Sequence, residues 1–325
     1  MTKKQNVLII GGTGFLGYFA VQELTRRGHH VTTLALPPLP APGLFPDETR
    51  ILLADLNRLT DDEVANLLRG QDAVIYAAGA DDRVTPRAPA YPFFYKYNVE
   101  ATRRLMTLAR QAGVKKAVVL GSYFVHFDRI WPHLKLKEHH PYIRSRVEQE
   151  EAAITAGGTE MAVIILELPY IFGSMPGRIP IWKPLIRYIC STPIIFYTRG
   201  GSNCIAVEHV GEAIAGAVEQ GVGGQSYVIG DENLTWVELL EKLARLTGKE
   251  KSIISLPNWV AILAGVFIKV VHFFQGLEGG LDPVALIKLQ TAKTFFDPTL
   301  ARNALGFGSG GIDEALRKTV VACER

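Results

Sequence analysis

The chain has 325 residues, of which 48% are hydrophobic and 21% charged, a composition typical of a folded globular protein rather than a disordered one. Its 35 basic and 32 acidic residues give a net charge of +3 without a long block of like charge, which disfavours a nucleic-acid partner. The cysteines, Cys190, Cys204 and Cys323, are widely spaced and form neither a disulfide framework nor a CxxC pair. We therefore predict a cytoplasmic protein that binds no nucleic acid.

Short apolar runs alternate with helical segments through the first half of the chain. Runs of this kind, apolar throughout, are typical of strands that are covered on both faces. Their alternation with helices predicts an α/β fold, a doubly wound parallel sheet of the Rossmann type. The predicted strands are 7–10, 31–36, 51–54, 73–77, 117–120 and 161–166, and the predicted helices are 15–27, 60–70, 98–112 and 141–156.

The N-terminal segment resembles a secretory signal superficially, because an apolar stretch at 7–21 follows Lys3 and Lys4. That stretch contains glycines at positions 11, 12, 14 and 17, and no small-residue cleavage site follows it. We therefore predict a strand, a turn and a helix there.

The regular rhythm loosens after residue 169, where prolines and aromatic residues recur. It returns at 207–218 and 227–229, and Thr235 with Glu238 predicts a capped helix that ends near residue 248. We predict a sheet domain over residues 1–168, and over 169–325 mainly a smaller C-terminal substrate-binding lobe that is interleaved with the sheet domain.

A glycine-rich turn joins the first strand to the first helix in the sequence VLIIGGTGFLG. Glycines at 11, 14 and 17 allow a tight turn, close approach of the backbone to a pyrophosphate, and close packing of helix on strand. The N-terminus of the helix adds free N–H groups and a partial positive charge. This context predicts a site for NAD(H) or NADP(H).

The spacing GxxGxxG and several later segments resemble the extended branch of the short-chain dehydrogenase/reductase superfamily, the NAD-dependent epimerase/dehydratase family. The similar segments include ADLNR at 54–58, YAAG at 76–79, NVEATRRLM at 98–106, ELPYIFG at 167–173, AVEHVGEAI at 206–214 and FFDPTLARNALGF at 295–307. The resemblance implies that Asp55 holds the adenine. The implied cofactor-binding residues are Gly11, Gly12, Thr13, Gly14, Phe15, Leu16, Gly17, Asp55, Leu56, Ala77, Ala78, Gly79, Asn98, Tyr142, Arg146 and Pro169.

The choice between NAD and NADP depends on the end of the second strand. A carboxylate there would bind the ribose hydroxyls of NAD, and an arginine would bind the 2′-phosphate of NADP. The chain has Ala35 and Leu36, so the choice stays open. The basic residues just before that strand, Arg26, Arg27, His29 and His30, are predicted to face solvent.

The resemblance also implies hydride transfer, with Ser122 binding the substrate oxygen and Tyr142 passing the proton. A phenol with a pKa of about 10 is a poor base at neutral pH and needs a nearby cation. The family has a lysine four residues after the tyrosine, whereas this chain has Arg146. Arginine keeps the charge but cannot relay a proton. Glu167 is a second departure, because many members have an arginine there.

We predict an NAD(P)-dependent oxidoreductase or epimerase that acts on a carbinol or carbonyl carbon of a nucleotide sugar or of a bulky apolar alcohol or ketone. The alternative is a non-catalytic or weakly active NAD(P)-binding sensor or scaffold on the same fold. The histidines at 126, 133, 139 and 140 lack metal-ligand spacing, so we predict no metal site and place them on the surface or in loops. Family analogy implies a homodimer.

The segment 259–274, WVAILAGVFIKVVHFF, is strongly apolar but is interrupted by Lys269 and His272. A membrane span needs about 20 apolar residues. Three alternatives remain: a buried helix of the lobe, a wall for an apolar substrate, or a helix that makes weak contact with a membrane surface. The region resembles that of dihydroflavonol-reductase and 3β-hydroxysteroid-dehydrogenase-like relatives.

Overall fold

The protein was analysed as a computed structural model that describes residues 3–248 and 250–324. Strands and helices alternate along the chain. The strands are β1 (Asn6–Ile10), β2 (His30–Ala35), β3 (Arg50–Leu53), β4 (Ala73–Tyr76), β5 (Lys116–Ser122), β6 (Ala162–Leu168), β7 (Tyr170–Phe172), β8 (Ile194–Tyr197), β9 (Gly201–Ala206), β10 (Ser226–Val228), β11 (Glu232–Thr235), β12 (Ser252–Ser255) and β13 (Lys293–Thr294).

The α-helices vary widely in length. They are α1 (Phe15–Arg26), α2 (Asp61–Leu68), α3 (Tyr91–Phe94), α4 (Ala101–Gln111), α5 (Tyr123–Ile130), α6 (Leu136–His139), α7 (Pro141–Gly157), α8 (Lys183–Ser191), α9 (Val207–Gln220), α10 (Trp236–Leu246), α11 (Asn258–Gln275), α12 (Leu286–Thr291), α13 (Thr299–Leu305) and α14 (Ile312–Glu324).

The main sheet has seven parallel strands in the order β10-β6-β5-β4-β1-β2-β3. Strand β1 pairs with β2 on one side and β4 on the other, and Val7 aligns with Val31 and Ala73. Buried apolar clusters cover both faces, which explains why the strands are apolar throughout. The predicted doubly wound Rossmann fold is confirmed.

Residues after 169 contribute to both parts of the molecule. Strand β10 extends the main sheet beside β6, and α9 packs on α1 so closely that a Cβ at Gly211 would lie 2.8 Å from the Phe19 carbonyl oxygen. The other elements form a second sheet, in which β9 pairs with β7, β11 and β13, and a pair of strands, β8 and β12. The division at residue 168 stays a prediction.

Both capping boxes named in the sequence are present. The Thr60 hydroxyl accepts a hydrogen bond from the Glu63 N–H, and the Glu63 carboxylate accepts one from the Thr60 N–H. Thr235 and Glu238 repeat this arrangement at the start of α10. Each box satisfies N–H groups that have no partner inside the helix, which is why this local pattern predicts a helix start well.

The predicted helix start at Asn98 is wrong. The chain is already helical from Tyr91, and Asn98 lies in a π-helical turn over residues 95–100. The Asn98 amide is buried and does not cap a helix. Instead it accepts a hydrogen bond from the Ala80 N–H at 2.8 Å and donates to the Ala80 carbonyl at 3.1 Å, so it fixes the loop that follows β4.

Contrary to the prediction, not all of the basic residues at the start of β2 face solvent. Arg26 and His30 are exposed, but Arg27 binds Glu219 of α9 at 2.6 Å and the buried His29 lies 3.2 Å from the same carboxylate. The burial of this cluster comes from a pairing with a residue distant in the sequence. These contacts attach the start of β2 to α9.

Helix α11 is apolar and yet largely exposed. Of its residues only Ala261 and Gly265 are buried, so the prediction of a buried helix is wrong. By length and composition, with a mean hydropathy of 1.5, it is the one helix of the described residues able to cross a membrane. None of its residues lines the cavity described below, which gives no support to the prediction of a substrate wall.

Candidate active site

The glycine-rich turn is packed without room for side chains. Gly11 has φ of +90°, and a Cβ there would lie 2.7 Å from the Ala77 carbonyl oxygen. A Cβ at Gly17 would lie 2.2 Å from the Gly11 carbonyl oxygen. Gly14 occupies the N-cap of α1 and offers no capping side chain, so the first N–H groups of the helix are available to an anion.

A cavity of about 470 Å³ opens beside this turn, at the carboxyl ends of strands β4, β5 and β6. This is the edge at which open α/β sheets bind ligands. The cavity brings together ten of the residues that the sequence predicted for the cofactor or for catalysis: Gly14, Phe15, Leu16, Ala77, Ala78, Gly79, Ser122, Tyr142, Arg146 and Pro169.

The other predicted residues do not line the cavity, which is lined by Gly14 but not by Gly11, Gly12, Thr13 or Gly17. Asp55 follows β3 and accepts a hydrogen bond from the Asn57 N–H at 2.9 Å. Leu56 is buried, and its carbonyl oxygen binds Arg104 at 3.0 Å. Asn98 holds Ala80 as described above. The implied role of Asp55 in binding adenine therefore stays a prediction.

Tyr142 is held at the start of α7 by both backbone and ring. Its N–H donates to the Gly280 carbonyl oxygen at 2.9 Å. Its ring makes edge contacts with Phe94 and Phe124, with centroids 5.9 and 6.5 Å away. The side chain is 5% exposed and borders the cavity. The phenol is thus fixed where a substrate in the cavity could meet it.

Burial raises the pKa of Tyr142, because a phenolate loses solvation in the interior. The positive charge of Arg146 and hydrogen bonding from Ser122 and Arg146 oppose this rise in pKa, while the charge of Asp82 adds to it. The pKa of Tyr142 is nevertheless raised overall, so the protein alone does not make this phenol a strong base at neutral pH.

Arg146 lies one helical turn after Tyr142, with its guanidinium 5.1 Å from the ring centroid. Nη1 donates to the Leu120 carbonyl at 3.3 Å and to Gln149 Oε1 at 2.7 Å, and Nη2 donates to the Ala80 carbonyl at 3.2 Å. Within the described residues, the buried Nε has no hydrogen-bond partner. Arg146 thus ties β5 and the loop after β4 to α7.

Ser122 ends β5 and caps α5. Its buried hydroxyl accepts a long hydrogen bond, 3.4 Å, from the Phe124 N–H and also interacts with the Tyr142 phenol. Because this bond is weak, the hydroxyl can turn to a substrate oxygen. Ser122 and Tyr142, which come from separate elements, therefore meet in one cavity.

The sequence analysis missed the acidic and basic residues that follow YAAG. Asp81, Asp82 and Arg83 line the cavity, and burial together with the neighbouring Asp81 raises the pKa of Asp82. Their position directly after a cofactor-lining loop was the signal that could have identified them. The rest of the outer wall is mainly apolar and aromatic: Tyr123, Phe124, Leu168, Tyr170, Ile171, Met175, Ile179, Ile181 and Trp182.

Glu167 belongs to a buried cluster just behind the cavity wall. Arg129 of α5 donates to Glu167 and, at 3.3 Å, to Glu150 of α7. Ser226 of β10 also donates to Glu150, at 3.2 Å. Burial raises the pKa of both carboxyl groups, and the mutual repulsion of the pair contributes to the rise for Glu150. The departure at Glu167 is therefore matched by an arginine supplied from another element.

The histidines predicted for the surface or for loops differ in their burial. His133 and His139 are exposed and His126 is half-buried on α5, while the fourth, His140, lies in the connection between α6 and α7 but is only 1% exposed. Its Nδ1 accepts a hydrogen bond from the Asp282 N–H at 2.9 Å, and burial lowers its pKa to about 4. In the described part of the chain, no three His, Cys, Asp or Glu side chains are grouped to hold a metal ion.

Comparison with known proteins agrees with this geometry. Residues 11–168 match a family model described as NAD(P)H-binding. That range contains the glycine turn, the strands β2 to β6 and the residues Ser122, Tyr142 and Arg146. The chain thus contains an NAD(P)-binding domain.

Similar proteins extend over almost the whole chain. One, from Synechocystis sp., carries the name of a dihydroflavonol 4-reductase and is 22% identical over 96% of this chain and 92% of its own length. The mouse protein named sterol-4-alpha-carboxylate 3-dehydrogenase, decarboxylating, is 23% identical over 98% of this chain and 91% of its own length. These matches confirm the resemblance to the extended short-chain dehydrogenase/reductase family.

Solved structures share the fold. The structure titled gox2253 is 22% identical, covers 99% of this chain and 98% of its own, and superposes with a TM-score of 0.80. MoeE5 in complex with UDP-glucuronic acid and NAD is also 22% identical, covers 98% of this chain and 99% of its own, and gives a TM-score of 0.69. At this identity the likeness concerns the fold.

Proposed function

We propose that this chain is an NAD(P)-dependent oxidoreductase that acts on the carbinol or carbonyl carbon of a bulky apolar alcohol or ketone. One observation carries the proposal: a single cavity combines the glycine turn, Ser122, Tyr142 and Arg146 with an outer wall that is mainly apolar and aromatic. A hydroxyl, a phenol and a fixed cation are the groups that proton transfer at a carbonyl oxygen requires.

The nicotinamide cofactor, when bound, supplies the carbon that accepts or donates the hydride. The packing at Gly11 and Gly17 leaves the backbone bare for its pyrophosphate, so the residues present fit such a group. The Ser122 hydroxyl would donate a hydrogen bond to the substrate oxygen. During oxidation the Tyr142 phenolate would take the proton from that oxygen, and during reduction the Tyr142 phenol would give it back; Arg146 would stabilise the phenolate without relaying the proton further.

The composition of the wall supports the apolar substrate. Side chains such as Ile179, Ile181 and Trp182 would cover an apolar body, because such pockets bind mainly through burial of apolar surface. The relatives named as dihydroflavonol and sterol-carboxylate enzymes agree with this class. Arg83 and Arg178 on the same wall favour the runner-up, a nucleotide sugar, since two cations could bind a diphosphate.

The hydrogen bonds of Arg146 favour a different function, an NAD(P)-binding sensor or scaffold. Two of its nitrogen atoms already bind Leu120, Ala80 and Gln149, as a purely structural arginine would. The raised pKa of Tyr142 agrees with low activity. We rank the sensor or scaffold below the enzyme, because without catalysis Ser122 and Tyr142 would have no reason to border the cavity together.

The test begins with thermal-shift titrations against NAD⁺, NADH, NADP⁺ and NADPH. A ligand at about 100 times its Kd stabilises the folded state by roughly 2.7 kcal/mol, which gives a shift of several degrees. The cofactor that binds is then used in turnover assays with bulky apolar secondary alcohols and, separately, with UDP-sugars. We expect turnover of the former.

Tyr142→Phe is the decisive variant in that assay. It should reduce kcat by about 10²- to 10⁴-fold while cofactor affinity changes little, because only the proton-transfer group is lost. Tyr123→Phe is the matched control, since it removes a phenol from the same cavity that is bound to Ser202 instead. Turnover of UDP-sugars alone would select the runner-up. Cofactor binding without turnover of any compound would select the sensor.

A further inference from the structure

We infer that α11 is a docking surface for an anionic lipid bilayer and lies along the membrane rather than across it. Its outward stripe is uniformly apolar. Side chains at the spacing i, i+4, i+7, i+8 and i+11 fall within roughly a third of the helix circumference. All of them are exposed: Trp259, Leu263, Val266, Phe267, Val270, Phe273 and Phe274.

This stripe is too large and too aromatic to be ordinary surface. Trp259 is 64% exposed, Phe267 69% and Phe274 82%. A helix of 18 residues is about 27 Å long, so the stripe exposes a contiguous apolar strip of the kind that marks an interaction site.

The opposite face and the C-terminal end of the helix are attached to the protein. Ala261 and Gly265 are buried, and a Cβ at Gly265 would lie 2.6 Å from the Pro283 carbonyl oxygen. Lys269 binds Asp282 at 2.5 Å on that side. At the C-terminal end, the Ala88 N–H donates to the Gly276 carbonyl. A helix held in this way presents its outer stripe to a bilayer without leaving the protein, which favours a position along the membrane.

Charge identifies the occupant. The chain contains no Asp or Glu between Glu250 and Glu278, the interval that contains α11, whereas it contains Lys251 and Lys269 there. Strand β12 directly precedes α11 in the chain and pairs with β8. These two strands also expose apolar side chains, Ile194, Phe196 and Ile254. An apolar helix in a stretch of chain that carries basic residues and no acidic ones complements an anionic lipid surface, whereas a second copy of the chain would present like charge.

The test is co-sedimentation of the purified full chain with vesicles of phosphatidylcholine containing phosphatidylglycerol, and with vesicles of phosphatidylcholine alone. We expect binding to the anionic vesicles that weakens at high salt, because the cations contribute to it. Trp259 should shift its fluorescence emission to the blue, and Trp259→Phe should remove that shift. Absence of binding to the anionic vesicles would overturn the inference.

The double variant Phe267→Asp with Phe273→Asp should weaken vesicle binding by at least about tenfold, since charged groups must then enter the lipid interface. Val222→Asp with Leu300→Asp is the matched control, because it places the same two charges on exposed apolar positions outside α11. Equal binding by the two double variants would refute the assignment to α11.

Light scattering of the same proteins shows whether a second copy of the chain, rather than a bilayer, covers the stripe. If the wild-type chain dimerises through this stripe, so that only the α11 variant is monomeric, and vesicles do not bind, the occupant is a second copy and the inference fails. The assay uses neither cofactor nor substrate. Its failure would therefore leave the proposed oxidoreductase untouched.

Discussion

The two ends of the cavity differ in how closely they keep the residues of the family pattern. At the glycine turn, Gly11 and Gly17 stand where any side chain would collide with a backbone carbonyl, so the family pattern is retained for steric reasons. At the start of α7, the lysine of the family pattern is replaced by Arg146, whose donors bind two carbonyls and Gln149. Backbone packing allows no substitute at one end, whereas a cation can be exchanged at the other if its donors find partners.

Gly17→Ala disrupts the glycine turn, the end of the cavity that keeps the family pattern, and should have the largest effect. The new Cβ would lie 2.2 Å from the Gly11 carbonyl oxygen, so the turn must shift away from the position that binds pyrophosphate. Strain of a few kcal/mol corresponds to a loss of cofactor affinity of about a hundredfold. Calorimetric titration measures it. Gly279→Ala is the control, because its Cβ would meet only an ordinary contact at 3.4 Å. An unchanged affinity in Gly17→Ala would show that the turn does not hold the cofactor.

Arg146→Lys tests the end of the cavity that departs from the family pattern, because it restores the family's lysine. A lysine has a single nitrogen and cannot serve Leu120, Ala80 and Gln149 together, so buried acceptors lose their partners. Loss of one such hydrogen bond amounts to about 1 kcal/mol, and we expect kcat to fall about fivefold to tenfold with a lower melting temperature. Lys137→Arg, at an exposed position, serves as the control for exchange of the two cations. A rise in kcat would instead mean that arginine disables the site.

Glu150→Gln tests the cluster behind the wall and should have the smallest effect. Burial raises the pKa of Glu150 to about 8, above its ordinary value of 4.5, so the folded state binds this proton more tightly than the unfolded state does. Its contribution to stability is complete below about pH 4.5 and is lost as the pH rises through the folded pKa.

The variant cannot lose a proton at this position. Its melting temperature relative to wild type should therefore be higher by a few degrees at pH 8.5 or so than at about pH 5. Differential scanning calorimetry at the two pH values measures this, and Glu151→Gln, an exposed neighbour on α7, is the control. A difference that is the same at both pH values would contradict the raised pKa.

Most of the sheet could be predicted from sequence, because apolar runs and glycine stops are local signals. The strands β1 to β6 and the capping boxes at Thr60 and Thr235 lie where these signals placed them. The site could be predicted only in part. Ten predicted residues meet in the cavity, but the sequence contained no local sign that Asp82 would join them.

The failures share a physical cause, which is contact between residues distant in the sequence. His140 is buried because Asp282 packs over it, and Glu167 tolerates burial because Arg129 reaches it from another helix. The exposure of α11 stayed one of three alternatives for the converse reason. An apolar segment is normally covered by a partner element, and no pattern within 259–274 reveals that this one is covered on one narrow face only.

The hydrogen bond from the Tyr142 N–H to the Gly280 carbonyl connects two ideas that have been separate so far. Gly280 lies five residues after the end of α11, against the ring of Phe94 and the Cβ of Tyr142. If α11 rests on a bilayer, a displacement of that helix is transmitted to the first turn of α7. Occupancy of the cavity and attachment to the surface would then be thermodynamically coupled, each altering the other by the same factor. Vesicle affinity measured with and without saturating cofactor would reveal that coupling as a difference, and equal affinities would show that the connection is passive.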